Sequence, residues 1–209
     1  MINKIIFENV SHSFTDNKIF DDVSLELHAG KIIAIAGANG AGKSTFLKLA
    51  GKFIKPDSGK ITTFDDNKSL EITEFRCKIA AVAPSMRLYS ELTAVENIKF
   101  FVGLRDISLT DSDITDLFER VELDLSARNK LISNFSTGMI QRLKFAILIA
   151  ARADVWLLDE PCSNLDESGK NILLKEITNA AQSGKLILLA TNDRDEANIA
   201  NEIINLPIN

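Results

Sequence analysis

The chain has 209 residues, of which 45% are hydrophobic and 25% are charged, and its formal net charge is -5. This length and composition fit one globular domain and exclude two large ones. The longest apolar stretches fall far below the roughly 20 residues of a membrane-spanning helix, and the acidic balance includes no basic tract, so we expect neither a membrane span nor a nucleic-acid partner.

The first half of the chain predicts strands on both sides of one glycine-rich loop. The loop over residues 37–42 precedes apolar residues at helical spacing, which predict a helix over residues 43–53. The predicted strands of this half cover residues 19–27, 32–36, 60–64 and 79–83. A strand, loop and helix unit therefore lies at the centre of this half.

In the second half, helical patterns predominate before strands return. The predicted helices cover residues 95–104, 111–121, 137–151 and 167–182, with a shorter one from about Arg194. The predicted strands cover residues 155–158, 186–190 and 203–206. Strands that alternate with helices predict an α/β fold with a mostly parallel sheet covered on both faces. We expect a single domain over residues 1–209, with a core of residues 1–84 and 152–209 and a helical subdomain of residues 85–151.

The glycine-rich loop fits a phosphate-binding pattern of Gly, any four residues, Gly, Lys, and then Ser or Thr. Its glycines let backbone N–H groups point inward, and the following helix presents its N-terminus to the same anion. We expect Lys43 to reach the β- and γ-phosphates and Ser44 to offer its hydroxyl to Mg²⁺. The residues expected to bind the nucleotide are Gly37, Ala38, Asn39, Gly40, Ala41, Gly42, Lys43, Ser44 and Thr45.

Two carboxylates, Asp159 and Glu160, follow the apolar strand over residues 155–158. A buried parallel strand places such residues at the carboxyl edge of the sheet, where the phosphate loop also lies. Asp159 can hold Mg²⁺ there, directly or through water. Glu160 can accept a proton from the attacking water or orient that water, which predicts a catalytic role.

A third motif, Ser136 to Gln141, begins at the start of the helix predicted over residues 137–151. In this order, the motifs resemble those of the nucleotide-binding subunit of ABC (ATP-binding cassette) transporters, and the resemblance covers essentially the whole chain. The matching segments are residues 37–44 for the Walker A motif, 136–141 for the ABC signature, 157–160 for the Walker B motif with its catalytic glutamate, and 163–166 for the D-loop. Phe14 resembles the aromatic A-loop residue that stacks on adenine.

The resemblance implies a P-loop NTPase cassette with a mostly parallel sheet flanked by helices, an N-terminal antiparallel β portion and an inserted α-helical subdomain. It implies ATP and Mg²⁺ as cofactors. It also implies a homodimer or heterodimer that ATP closes, because in the family Ser136, Thr137 and Gly138 would bind the γ-phosphate held by a second subunit. A separate integral membrane subunit would hold the chain at the cytoplasmic face of the membrane, and ATP hydrolysis would drive transport through that partner.

Two positions depart from the family pattern. Ser85 stands where the family has the Q-loop glutamine, and Asn192 stands where the family has the switch histidine. Serine is too short to reach the metal without a water, so we expect Ser85 to contact Mg²⁺ only through one. Asn192 can donate a hydrogen bond to a γ-phosphate but cannot carry a proton. We therefore expect Asn192 to take part in catalysis and hydrolysis to be slow.

Two alternative functions remain compatible with the motifs. One is a soluble ABC-type ATPase that acts outside transport; such proteins usually have two cassettes or basic surfaces, which this chain lacks. The other is a degenerate subunit that holds ATP while a partner hydrolyses it. Asn192 and Ser85 favour the degenerate subunit, whereas Lys43, Asp159 and Glu160 weigh against it.

The sequence leaves the role of a few further residues open. Leu88 and Tyr89 lie in the segment that the resemblance assigns to the groove for a membrane partner, and ordinary loop packing explains them equally well. Cys162 follows Glu160 closely. It is interpreted as a small buried side chain, with a role in sensing oxidation as the alternative.

Overall fold

The computed structural model of the protein describes residues 1–14 and 17–208, and of Phe14 and Asn17 it describes the backbone alone. The nine strands in this part of the chain are β1 Ile2–Phe14, β2 Asn17–His28, β3 Ile32–Ala36, β4 Ser58–Asp65, β5 Lys68–Ser69, β6 Ile79–Val82, β7 Val155–Asp159, β8 Leu186–Ala190 and β9 Glu202–Asn205. The α-helices are α1 Lys43–Ala50, α2 Ile72–Arg76, α3 Ala94–Gly103, α4 Asp111–Arg120, α5 Thr137–Ala150, α6 Glu167–Gln182 and α7 Arg194–Asn198.

The strands form two sheets. A parallel sheet has the order β6-β7-β8-β3-β9, and an antiparallel sheet has the order β2-β1-β4-β5. The predicted α/β fold with a parallel sheet and an N-terminal antiparallel portion is therefore confirmed. Because β7, β8 and β3 are parallel neighbours, their carboxyl ends meet at one edge of the sheet.

The parallel sheet separates two hydrophobic cores. On β7, Trp156 and Leu158 pack with the helices α3 to α6, whereas Val155 and Leu157 pack with α1 and the antiparallel sheet. Successive side chains of a strand point to opposite faces of the sheet, so a continuous apolar run contributes side chains to both cores. This packing explains why β3, β7 and β8 are apolar along nearly their whole length.

Three elements were not predicted from the sequence. Strand β1 has 13 residues, and shifts in its register against β2 interrupt the regular alternation of its side chains. The other two elements are short. Helix α2 has only five residues, and its start is stabilised by a capping box in which Glu71 and Glu74 bind each other's backbone N–H groups. Strand β5 has two residues and pairs with β4. Such short elements contain too few apolar residues for a period to emerge.

Helix α1 ends earlier than predicted. Its last residue is Ala50, and Lys52 adopts the left-handed conformation with φ of 53°. The N–H of Phe53 bonds to the carbonyl of Lys48, so the chain turns away before the apolar side chain of Phe53 can extend the buried face. Phe53 is therefore 51% exposed.

Across the described ranges 1–14 and 17–208, no helix combines the length and the apolar character needed to span a membrane.

Candidate nucleotide-binding site

The phosphate loop connects β3 to α1 at the carboxyl edge of the parallel sheet. Gly42 directly precedes α1 with φ of 101°, in the left-handed region that favours glycine. A Cβ at this position would lie 2.4 Å from Cγ2 of Ile19. Both the backbone conformation and the neighbouring side chain therefore require glycine here.

The Lys43 ammonium group lies inside the loop. The residue is only 7% exposed, and its Nζ donates hydrogen bonds to the carbonyl oxygens of Gly37 at 2.8 Å and Ala38 at 3.1 Å. A third hydrogen bond, at 2.7 Å, goes to Oδ1 of Asn192. The loop thus holds a positive charge at the N-terminus of a helix. The ammonium group and the helix N-terminus both attract phosphate oxygens.

The hydroxyl of Ser44 and the carboxylate of Asp159 are in direct contact. Ser44 Oγ donates to Asp159 Oδ2 at 2.7 Å, which joins the start of α1 to the end of β7. A hydroxyl and a single carboxylate suit Mg²⁺, which is usually bound through one or two carboxylates together with substrate phosphates. Within residues 1–14 and 17–208, no cluster of three or more His, Cys, Asp or Glu offers a metal site built from the protein alone.

Glu160 follows β7 and faces the phosphate loop. Its φ is 47°, and its N–H donates to the carbonyl of Ala190 at 2.9 Å, so the chain leaves the sheet in a sharp turn. A cavity of about 330 Å³ is lined by Glu160 and Asp159 together with Asn39, Lys43 and Ser44. The structure therefore brings the predicted catalytic carboxylate and the predicted phosphate ligands to one cavity.

Asn192 bridges two residues of the phosphate loop. Its Oδ1 accepts the hydrogen bond from Lys43, and its Nδ2 donates to Oδ1 of Asn39. An amide can make both contacts at once because it has an acceptor and a donor. The residue at the switch position thus reaches the phosphate loop, as its predicted role requires.

Ser85 lies at a neighbouring opening. It lines a cavity of about 570 Å³ that also includes Ser44 and Asp159. In the part of the chain that the structure describes, no direct hydrogen bond joins Ser85 to either of these residues. Its predicted contact with Mg²⁺ through a water stays a prediction.

The signature residues lie apart from the phosphate loop of their own chain. Ser136 Oγ accepts the N–H of Met139 at 3.2 Å and caps α5, and both Ser136 and Thr137 are exposed. Gly138 packs against the D-loop, where a Cβ would lie 3.4 Å from the carbonyl oxygen of Asn164. An exposed, capped helix N-terminus is a suitable site for an anion supplied from outside the chain.

The predicted adenine-stacking residue, Phe14, has a side chain that lies outside the described part of the structure. Thr45 follows Ser44 in α1, is largely buried, and lines the same cavity as Ser44. Cys162 is also buried, and burial raises the pKa of its thiol. A thiol that stays protonated is a poor nucleophile, which favours the packing role for Cys162 over oxidation sensing.

Sequence reasoning missed three charged residues beside the site. Asp193 caps α7 by accepting the N–H groups of Asp195 and Glu196, a helix-start signal that the sequence does contain. Lys170 binds Asp193 and Asp195, and Glu196 accepts the N–H of Cys162. The contacts of Lys170 and Glu196 join segments that are more than 20 residues apart, so no local pattern could have predicted them.

A phosphate loop after β3 and a carboxylate pair after β7, at the same sheet edge, define a P-loop NTPase. A family profile described as ABC transporter matches residues 20–163. The chain therefore belongs to the ABC transporter family and contains its ATP-binding cassette.

Individual relatives agree with this assignment. The chain is 32% identical to the "Ergothioneine transport ATP-binding protein EgtV" of Helicobacter pylori (strain G27), covering 92% of each. It is 32% identical to the "ABC-type organic anion transporter ABCA8B" of Mus musculus over 93% of the chain, but it spans only 12% of that relative's length. Among solved structures, "Dimeric Structure of MJ0796, a Bacterial ABC Transporter Cassette" matches with a TM-score of 0.84 and 25% identity, covering 97% of this chain and 94% of that one.

Proposed function

We propose that the chain is the ATP-binding subunit of an ABC transporter, which binds and hydrolyses Mg-ATP as a dimer to drive transport through a separate transmembrane partner. The observation that supports this best is the cavity of about 330 Å³ that Lys43, Ser44, Asp159 and Glu160 line together. A phosphate-binding cation, a pair of metal-binding oxygens and a candidate general base thus share one site. Lys43 and Ser44 begin α1, and Asp159 and Glu160 lie at the end of β7.

The residues of this cavity are proposed to have different roles in hydrolysis. Lys43 and the N-terminus of α1 bind and orient the phosphates, while Ser44 and Asp159 would hold Mg²⁺. When bound, Mg²⁺ neutralises charge on the phosphate oxygens. Glu160 accepts a proton from the attacking water or orients that water, since its carboxylate faces the same cavity.

The rate of hydrolysis is expected to be low because of the switch position. Asn192 contacts Lys43 and Asn39, so it is within reach of the phosphate loop. Its amide can stabilise a γ-phosphate by a hydrogen bond but cannot carry a proton. Binding of ATP would therefore be intact while turnover is slow.

A complete site is proposed to need two chains. Ser136 and Thr137 are exposed at the start of α5, and Ser136 makes no hydrogen bond to the phosphate loop among the residues that the structure describes. These residues are free to bind a nucleotide held by a second subunit. The solved dimeric relative supports this arrangement.

The membrane partner is proposed to dock beside the helical subdomain. We assign residues 85–151 to that subdomain and residues 1–84 and 152–209 to the catalytic core. Tyr89 and Phe100 are exposed and in ring contact at the surface, whereas Leu88 packs partly buried against the core. Attachment through this partner would place the chain at the cytoplasmic face of the membrane.

Replacement of Glu160 by Gln tests the proposed function. Glu160→Gln keeps the size of the side chain but removes its basicity, so we expect turnover to fall by about 100-fold or more. Affinity for Mg-ATP should change by less than about twofold, because the phosphate ligands are untouched. Turnover is measured with the purified chain, and affinity is measured by calorimetry.

The same variant tests the dimer. With Mg-ATP, Glu160→Gln should elute at the mass of two chains in size-exclusion chromatography with light scattering, and Lys43→Ala, which lacks the phosphate-binding cation, should elute as one. ATP binding without turnover in the wild-type chain would instead indicate a degenerate subunit, the alternative that Asn192 and Ser85 favour. Loss of Mg-ATP binding in Glu160→Gln would contradict the catalytic role of Glu160.

A further inference from the structure

Glu196 is a buried carboxyl group that connects two functional segments. It lies on α7, which begins directly after the switch segment, defined here as residues 191–193. The residue is only 3% exposed, and its Oε1 accepts the backbone N–H of Cys162 at 3.0 Å. Cys162 lies between Glu160 and the D-loop, so this contact joins the switch segment to the end of the Walker B motif.

The helix that carries Glu196 is itself held in place. Asp193 Oδ1 accepts the N–H groups of Asp195 at 2.7 Å and Glu196 at 3.2 Å. Lys170 Nζ, on α6, binds Asp193 Oδ2 at 2.8 Å and Asp195 Oδ2 at 2.7 Å. Because α6 follows the D-loop, Lys170 forms a second connection between the D-loop side and the switch segment.

The backbone that Glu196 contacts needs external support. Glu160 has left-handed φ, and the chain reverses in a turn that the N–H of Ser163 closes by bonding to the carbonyl of Glu160 at 3.2 Å. Non-glycine residues seldom adopt this conformation, and it persists where surrounding contacts fix it. The bond from Cys162 to Glu196 is one such contact, and it lies inside this turn.

A cavity of about 320 Å³ lies where these groups meet. It is lined by Glu160, Cys162, Asn192 and Glu196 among others. The proposed base and the switch residue thus face one space, and Glu196 forms part of its wall. A change in the position of Glu196 would alter both sides of this space.

From these contacts we propose that Glu196 is a positioning residue: it fixes the turn after Glu160 relative to Asn192, and so aligns the base for ATP hydrolysis. Glu196 would act through its hydrogen bond to Cys162 and not through contact with nucleotide. The inference rests on the hydrolytic function proposed above. Whether Glu196 stabilises the turn after Glu160 can be tested separately from hydrolysis.

The chemistry of the group suggests the variants. Burial raises the pKa of Glu196, which favours the neutral carboxyl group. Glutamine keeps the acceptor oxygen and is neutral, so Glu196→Gln should preserve the hydrogen bond, whereas Glu196→Ala removes it. Glu176→Ala is a matched control, because Glu176 on α6 is also buried but binds Arg120 of α4 and does not contact the turn after Glu160.

Hydrogen exchange tests whether Glu196 stabilises the turn after Glu160, and it does not require ATP hydrolysis. Glu196→Ala should raise amide exchange in the peptide 161–166 by about tenfold, the effect of losing one hydrogen bond. Glu196→Gln and Glu176→Ala should keep the wild-type rate in this peptide. Wild-type exchange in Glu196→Ala would overturn the proposal. If that variant does not fold, Glu196→Leu fills the space without an acceptor and replaces it.

Steady-state kinetics test the alignment. Glu196→Ala should lower kcat by about tenfold, as misplacement of a catalytic group does, and change KM by less than about twofold. Glu196→Gln and Glu176→Ala should retain kcat. An equal loss of kcat in Glu196→Gln, or a loss confined to KM, would overturn the positioning role. A wild-type chain without turnover would refute the proposed hydrolysis, while hydrogen exchange would still decide whether Glu196 holds the turn.

Discussion

At the residue scale, Asn192 is the side chain that most distinguishes this site from the pattern that the motifs resemble. Its amide contacts Lys43 and Asn39 together, so it links the segment after β8 to the phosphate loop. The amide therefore has a structural role in the loop as well as its proposed role in hydrolysis.

Replacing Asn192 with His should raise turnover. The imidazole can carry a proton and donate a hydrogen bond to phosphate, whereas the amide can do only the second. We expect Asn192→His to increase kcat by about tenfold or more, within the range for acid–base catalysis. Affinity for Mg-ATP should stay within about twofold, because Lys43 and the N-terminus of α1, the proposed phosphate ligands, are retained. Steady-state ATPase assays and calorimetry on the purified chain measure the two quantities.

The control for this substitution is Asn192→Ala, which removes both the amide and its hydrogen bonds. It should not exceed the wild-type rate. Equal turnover in the wild-type chain and in Asn192→His would show that this position does not limit the rate.

Whether single residues can be predicted from the sequence depends on how their contacts are formed. Lys43 and Ser44 lie in one continuous pattern, and Asp159 and Glu160 directly follow an apolar strand, so both sets could be placed at the sheet edge beforehand. Glu196 contacts Cys162 only because the fold brings α7 beside the turn that follows β7. Contacts of this kind follow from tertiary packing, which leaves no local signal.

At the element scale, the start of α5 combines a structural and a proposed functional role. Ser136 caps this helix through the N–H of Met139. Ser136→Ala should lower the free energy of unfolding by ~1 kcal/mol, the usual cost of a lost cap. Because the same residue would bind the nucleotide of a second subunit, turnover should fall by about tenfold or more, beyond what the lost cap explains.

The matched control for Ser136→Ala is Thr110→Ala. Thr110 caps α4 in the same way, by accepting the N–H of Asp113 at 3.1 Å, and lies outside the site. It should lose similar stability and keep its turnover. Thermal unfolding and ATPase assays compare the two variants; equal turnover in both would indicate that Ser136 is only a cap.

Long helices could be predicted better than short ones, although the long strand β1 was missed. The start of α5 was placed correctly behind Ser136, since a capping residue and a long apolar pattern coincide there. The end of α1 was placed too late, at residue 53, because Phe53 continues the apolar pattern after the backbone has already turned at Lys52. The spacing of apolar side chains in the sequence does not indicate such a change of backbone direction.

At the scale of the whole molecule, two cavities open next to each other beside β6. Their volumes are about 570 and 540 Å³, and they share Phe53, Ala81 and Met86. Phe101 lines the second cavity and is in ring contact with Tyr89 and Phe100. Exposed aromatic side chains such as Tyr89 and Phe100 beside these cavities are a candidate contact for another protein.

The loop that presents this surface is held rigidly. Asn97 is fully buried, and its Nδ2 donates to the carbonyl oxygens of Tyr89 and Thr93, each at 3.0 Å. Its Oδ1 accepts the N–H of Tyr89 at 2.8 Å. The exposed aromatic rings therefore stand on a fixed backbone, which lowers the entropy cost of binding a partner.

Replacing Phe100 with Asp should release the chain from the membrane. Phe100 is 40% exposed, so a carboxylate is tolerated by the fold but disfavours an apolar contact with the proposed transmembrane partner. In cells that produce the partner, we expect the membrane-bound fraction of the chain to fall by about tenfold, the effect of losing one interface anchor. Leu125→Asp, at a residue that is 44% exposed and takes no part in the ring contacts among Tyr89, Phe100 and Phe101, should stay membrane-bound. Cell fractionation with detection of the chain measures both, and purified ATPase activity should be unchanged in each. Equal release of the two variants would contradict docking at this surface, and a wild-type chain found only in the soluble fraction would contradict the membrane partner itself.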